Sequence, residues 1–339
     1  MNIRTVYVEI TNQCNLNCRT CYNRSGLNRT RREISAEELR GVMEVFLPYG
    51  LRRLLISGGE PLLHSGIEEV LDLPGWYPEL SFGIVTNGTV PCPKLNEVLA
   101  QNPGMTVQVS LDGSGEEQNA RTRGAGNFAK AAAFVKNLPP REEKPLLKMV
   151  ISRRNLEDVE PFYRRALSLG AVPEFAFLFR AGNGCEGWEE ECLSAREQFA
   201  VLKLVDRLNR ECGTEAFLPL CTSRCPYSKE LEDLSLCVKT DGSIQPCQTL
   251  YGEEYALGNV FAFSPAAFEE RLRETAAVAR RRLTADYGCG SCLLSAACGR
   301  GCMAQAVNLH GDPLADDGDC ALRKLQAVGY YLKDVRKTK

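Results

Sequence analysis

The sequence predicts an α/β fold, a parallel sheet curled into a partial (β/α)6 TIM-like barrel, followed by a cysteine-rich C-terminal domain. Six apolar, β-branched runs alternate with helical stretches through the first half of the chain, the pattern of strands covered on both faces. A capping box, Ser35-Ala36-Glu37-Glu38, opens the first of those helices. Beyond Pro219 the long apolar runs stop and 9 cysteines appear in their place: Cys221, Cys225, Cys237, Cys247, Cys289, Cys292, Cys298, Cys302 and Cys320. A region with so small a core of its own needs thiolate-metal bonds to fold. The expected domains are residues 1–185 for the barrel, 186–218 for a bridging helical segment and 219–339 for the cysteine-rich domain with a C-terminal helix.

In chain order, residues 5–10 form the first strand, and a loop carrying Cys14, Cys18 and Cys21 leaves its C-terminal end, where barrel enzymes keep their chemistry. A basic connection, 24–32, leads to a helix over 35–47 and a second strand over 53–57. That strand ends in Gly58-Gly59-Glu60-Pro61, in which the glycines allow close backbone approach and the carboxylate offers an acceptor to an ammonium group. Further strands are expected at 82–88, 105–113, 146–151 and 174–179, with helices at 155–169 and about 194–210.

Composition excludes several classes of function. With 339 residues and 44% hydrophobic content the chain can build a large core. A net charge of -2 gives no electrostatic case for nucleic acid or an anionic membrane. Met1-Asn2-Ile3-Arg4 runs straight into a strand, without a signal peptide or spanning helix, so the expected location is cytoplasmic. In that reducing compartment the 16 cysteines are better explained by metal or cluster ligation than by disulfides.

Cys14, Cys18 and Cys21 have the look of 4Fe-4S ligands: three thiolates leave one of four irons open to bind and reduce a cofactor. A zinc site lacking its fourth ligand, or thiols buried as small hydrophobes, would use the same residue type. The Cys-x3-Cys-x2-Cys spacing followed one βα unit later by Gly-Gly-Glu-Pro resembles the radical S-adenosylmethionine (radical SAM) family. The resemblance implies that the open iron chelates the methionine part of SAM and that Gly58, Gly59, Glu60 and Pro61 contact its amino group. Ser110-Leu111-Asp112-Gly113 resembles a segment of the subgroup that modifies peptides and proteins. It implies that Ser110 contacts the ribose or carboxylate region and that Arg121 reaches the carboxylate, with Arg123 next door able to take that role. The chain departs from the family at Thr20, where an aromatic residue near the adenine is usual.

The C-terminal cysteines resemble those of the SPASM domain, named for maturases of subtilosin, pyrroloquinoline quinone, anaerobic sulfatases and mycofactocin. By that resemblance Cys289, Cys292, Cys298 and Cys320 hold an outer auxiliary 4Fe-4S cluster, while Cys237, Cys247 and Cys302 supply three ligands to an inner one. Cys221 or Cys225 would complete the inner set, Cys225 being favoured, or else an iron stays open. The cofactors implied are three 4Fe-4S clusters and SAM. Cys92, Cys185, Cys192, Cys212, His64 and His310 match no pattern.

The resemblance runs from Val6 to about Leu325 and implies reductive cleavage of SAM to a 5′-deoxyadenosyl radical that abstracts a C–H hydrogen. The electron would come from a reduced flavodoxin or ferredoxin. The favoured substrate is a ribosomally synthesised peptide, which the enzyme would oxidise or crosslink. A sulfatase-maturase-like or small-alcohol dehydrogenase is the alternative, and a non-catalytic metal-binding scaffold the remote one. Sulfatase maturases carry an aspartate base directly after the cysteine matching Cys247, whereas this chain has Gln248, which cannot take a proton from a substrate hydroxyl. Many peptide maturases also carry an N-terminal winged-helix module that grips a leader peptide. This chain starts about one strand before the cysteine loop, so a separate leader-binding protein is expected.

Overall fold

The computed structural model describes residues 1–337 except 29, 217–224, 251, 290 and 297. β1 (Ile3–Thr11), α1 (Ala36–Phe46), β2 (Arg53–Gly58), α2 (Ile67–Trp76), β3 (Ser81–Thr86), α3 (Pro93–Gln101) and β4 (Thr106–Ser110) come first. α4 (Glu116–Arg123), α5 (Phe128–Lys136), β5 (Leu146–Ile151), α6 (Val159–Ser168) and β6 (Val172–Phe177) complete the six units. The strands pair in parallel in the order β6-β5-β4-β3-β2-β1. Their alternate residues divide the sheet. Val6, Val8, Ile10, Leu54, Ile56, Val107, Val109, Met149 and Phe175 are buried under the helices. The other face is polar at several positions, with Arg53 donating to Thr106 and Lys148 paired with Glu174.

The capping box closes as expected, the Glu38 amide donating to Ser35 Oγ at 3.2 Å and the Ser35 amide to Glu38 Oε2 at 2.7 Å. A second box, Ser194 with Glu197, opens α8 (Ala195–Cys212) after the short α7 (Trp188–Glu191).

The cysteine-rich region continues the barrel's own sheet. β7 (Leu234–Val238) pairs in parallel with β1, and β8 (Ser243–Gln245) and β9 (Gly258–Asn259) follow antiparallel, giving nine strands. α9 (Pro265–Thr284) then packs Phe268 edge-on against Phe46 and Tyr49, anchoring this region to α1. α10 (Met303–His310) and α11 (Cys320–Lys337) end the chain. Buried Arg282 substitutes for apolar packing here: its guanidinium donates to the Arg300 and Ala315 carbonyls at 2.8 Å and to that of Pro313, gathering two loop segments. Among the described residues no helix is long and apolar enough to cross a membrane.

Candidate functional site

The loop carrying Cys14, Cys18 and Cys21 sits at the C-terminal mouth of the barrel, held by strand tips far apart in sequence. The Gly59 and Glu60 amides donate to the Thr11 and Gln13 carbonyls, each at 2.7 Å. Position 59 must be glycine for this contact, because a Cβ there would lie 2.1 Å from the Gln13 carbonyl oxygen. From the 3-10 turn Gly182–Cys185 beyond β6, Asn183 donates through its amide to the Cys21 carbonyl at 2.8 Å and through Nδ2 to the Cys18 carbonyl at 2.8 Å. From α4, the Thr122 carbonyl accepts from the Arg19 amide at 2.8 Å.

The thiols receive donors as well. Leu16 N lies 3.4 Å and Asn87 Nδ2 3.9 Å from Cys14 Sγ, and an Arg123 guanidinium nitrogen lies 3.8 Å from Cys18 Sγ. Arg123 is anchored on Asp112, which has no exposed surface: Nε stands 3.0 Å from its Oδ2. The same carboxylate accepts from Thr122 Oγ1 at 3.0 Å, the Val150 amide at 2.9 Å and Thr20 Oγ1 at 3.3 Å. Thr20 is thus turned toward Asp112. Burial pushes the Cys14 thiol up to about 12 and the Cys18 thiol to about 11, Arg123 opposing the shift at Cys18. A thiolate is stable there only beside added positive charge, which is what iron ligation supplies.

Of the expected SAM contacts, Gly59 and Glu60 meet the cysteine loop, Gly58 lies against Thr11 at the end of β1 with Pro61 following the turn, and half-buried Ser110 ends β4 on the same face as Gln108. The Glu60 carboxylate is fully buried and occupied by the chain's own donors: Oε1 accepts from Leu62 N and Thr86 Oγ1, and Oε2 from Asn87 N at 2.6 Å. Burial holds its carboxyl up at about 7, against the pull of those hydrogen bonds. Arg121 does not join the site; it is exposed and pairs with Glu117 one turn away at 2.8 Å. Asn87, Asn183 and the anchoring role of Asp112 were not foreseen from sequence.

The C-terminal cysteines gather into two sets. Cys237 is fully buried on β7, level with Tyr7 of β1, its Sγ 3.8 Å from Glu9 Oε1. Burial drives its thiol well up, with Glu9 and Cys247 adding to the shift. Cys225 accepts from the Tyr227 and Met303 amides, the latter next to Cys302, and faces Cys247; burial pushes its thiol up to about 11. Tyr227 lies buried between them, donating to the Pro246 carbonyl at 2.8 Å. Cys225 and Cys237 both lie within electrostatic reach of Cys247, and Cys225 accepts from the residue after Cys302, while Cys221 lies outside the described residues. Cys289, Cys292, Cys298 and Cys320 line one small cavity, about 40 Å³, with Arg300, Arg323 and Lys324. Four thiols around one cavity are the donor set of an iron-sulfur cluster, while among the described residues no three Cys, His, Asp or Glu groups are already placed as a metal-ion site.

A larger cavity, about 620 Å³, opens beside the first cysteine loop at the C-terminal ends of β1 and β7. Glu9, Asn12, Asn23, Thr30, Lys239 and Asp241 are among its lining residues. Lys239 Nζ bridges Glu9 at 2.7 Å and Asn23 at 2.8 Å. His64 is structural, its ring meeting the Ile34 carbonyl and the Gly66 amide at 3.0 Å each.

Residues 8–166 match the radical SAM superfamily. The chain is 27% identical over 324 residues to mycofactocin maturase MftC of Mycolicibacterium smegmatis, covering 92% of this chain and 81% of that protein. It is 26% identical over 346 residues to the AdoMet-dependent heme synthase of Methanosarcina barkeri, covering 94% of this chain and 97% of that protein. Its fold resembles that of Streptococcus suis SuiB, solved with its precursor peptide SuiA, at a TM-score of 0.75 and 16% identity over 94% of this chain and 76% of SuiB. The chain therefore carries a radical SAM domain, the family that implies a 4Fe-4S cluster and SAM, continued by a cysteine-rich region consistent with a SPASM domain.

Proposed function

We propose that this protein is a radical SAM enzyme that abstracts a C–H hydrogen from a ribosomally synthesised peptide and so oxidises or crosslinks it. Cys14, Cys18 and Cys21 would hold the SAM-binding cluster. Cys225, Cys237, Cys247 and Cys302 would hold an inner auxiliary cluster, and Cys289, Cys292, Cys298 and Cys320 an outer one. When bound, the first cluster and SAM supply a 5′-deoxyadenosyl radical.

The chain's own residues set where that chemistry happens. Asn183 and the Gly59-Glu60 turn fix the cysteine loop from opposite sides, and Arg123 offsets negative charge beside Cys18. Glu60 acts by tying the tips of β2 and β3 together, leaving the Gly58-Gly59 backbone as the face turned to the cofactor.

The observation that carries the peptide reading is the polar cavity between the first cysteine loop and the strand bearing Cys237. Its lining is polar and charged, with Glu9, Arg32, Lys239 and Asp241 beside Asn12, Asn23, Ser25, Asn28, Thr30 and Thr240. Asn12, Asn23 and Asn28 bond within the chain, and the charged and hydroxyl groups around them suit a polar, peptide-like substrate. The similarity to a relative named as a maturase supports the same reading.

We also infer a reduced flavodoxin or ferredoxin as electron donor. A separate small protein would present the leader segment, since a net charge of -2 gives the enzyme no broad attraction for it. The test is mass spectrometry of a short candidate precursor, encoded beside this chain, after incubation with reconstituted enzyme, SAM and reductant, with and without the presenting protein. The reading expects loss of hydrogen from the peptide, in 2 Da steps, fastest with the partner. An unchanged peptide alongside an altered tetrapyrrole or alcohol would overturn it.

A further inference from the structure

The two C-terminal cysteine sets are joined by a buried ion pair that ligates nothing itself. Asp317 has no exposed surface, and its Oδ2 accepts from the Cys302 amide at 2.9 Å. The same carboxylate takes both arms of the Arg323 guanidinium, at 2.8 and 2.7 Å. Only glycine fits at position 301, just before Cys302, because a Cβ there would lie 1.7 Å from Asp317 Oδ2. Arg323 itself lines the cavity with Cys289, Cys292, Cys298 and Cys320, and Cys298 is one of the groups whose negative charge holds its proton. Of this pair, Asp317 touches the inner set and Arg323 faces the outer one, whose cavity Arg300, Asp316 and Lys324 also line.

The geometry points to Arg323 as the positioning residue that sets the electron affinity of the outer four-cysteine site, with Asp317 as the strap that fixes it there and ties it to Cys302. This rests on the proposal that the outer cysteines hold a 4Fe-4S cluster. Four thiolates give such a cluster net negative charge, and each added electron increases it. The ion pair turns its positive end, the Arg323 guanidinium, to that cavity and so favours the reduced state. Losing the guanidinium leaves the buried Asp317 carboxylate uncompensated, which disfavours it further, nearby charge being one of the factors that set cluster potentials. Lys324 also lines the cavity but is exposed, so solvent and salt screen its charge. Arg323 is 9% exposed and is not screened in that way.

The test uses full-length, anaerobically reconstituted protein in which Cys14, Cys18 and Cys21 are replaced by Ala, titrated with dithionite and followed by EPR. The wave that disappears in Cys289→Ala/Cys292→Ala belongs to the outer site. Arg323→Gln should shift that wave to lower potential by at least tenfold in the one-electron equilibrium, about 59 mV. Arg323→Lys, which keeps the charge but loses the fork, should stay within threefold of the parent, and Lys324→Gln within twofold. An unmoved wave in Arg323→Gln, or an equal shift in Arg323→Lys, would overturn the inference. If Arg323→Gln loses its iron, the Arg323→Lys result decides alone, a tenfold shift counting against it. Absence of an outer wave and of its iron from the parent would instead sink the cluster assignment, an outcome distinguishable from both.

Discussion

Arg123 and Asp112 meet 3.0 Å apart in the barrel mouth, the carboxylate fully buried and the guanidinium reaching on to Cys18 Sγ. The pair couples the fold to the cluster site. Removing Arg123 strands a buried carboxylate, which costs about 3–5 kcal/mol when its partner is lost. Arg123→Gln should therefore lower the urea midpoint of the iron-free chain markedly. Arg121→Gln removes an exposed pair and should change stability by less than about 0.5 kcal/mol. SAM affinity should be unchanged in Arg121→Gln. A tenfold loss of SAM binding in that variant would restore the role the sequence resemblance gave it.

Those two arginines mark where sequence reading stops. At 3.6 residues per turn, positions two apart on a helix point to nearly opposite sides. Motif distance alone could not choose between them. The Cys14, Cys18 and Cys21 set was legible because its ligands are contiguous, and the strands because apolar runs need no partner to be recognised. Asn87 and Asn183 were not, since their hydrogen bonds to the cysteine loop come from segments beyond β3 and β6, many residues away, and leave no local pattern. The pairing of β7 with β1 was equally hidden: a five-residue strand joins an edge laid down more than two hundred residues earlier.

Gly59→Ala should disrupt the first site selectively. A Cβ 2.1 Å from the Gln13 carbonyl cannot be accommodated without moving the loop backbone. Reconstituted Gly59→Ala should retain about 8 of about 12 irons, those of the two auxiliary cubanes, and lose SAM binding. Full iron content with normal SAM affinity would show that the loop does not depend on this contact.

Cys225 should be the fourth inner ligand. Cys225→Ala should perturb the EPR signal of the inner cluster and lower iron content. Cys185→Ala, at an exposed position, should change neither. An unperturbed Cys225→Ala protein would transfer the role to Cys221 or leave the inner iron open to substrate.

The measurement closest to the central claim is the yield of 5′-deoxyadenosine from SAM, with reduced, reconstituted protein and no peptide added. The account predicts steady formation by the native chain. It predicts none from the variant with Cys14, Cys18 and Cys21 replaced by Ala, with about 8 irons expected to remain if the two proposed auxiliary sites are filled. Equal yields from the two proteins, or none from native protein carrying its full complement of iron, would contradict it.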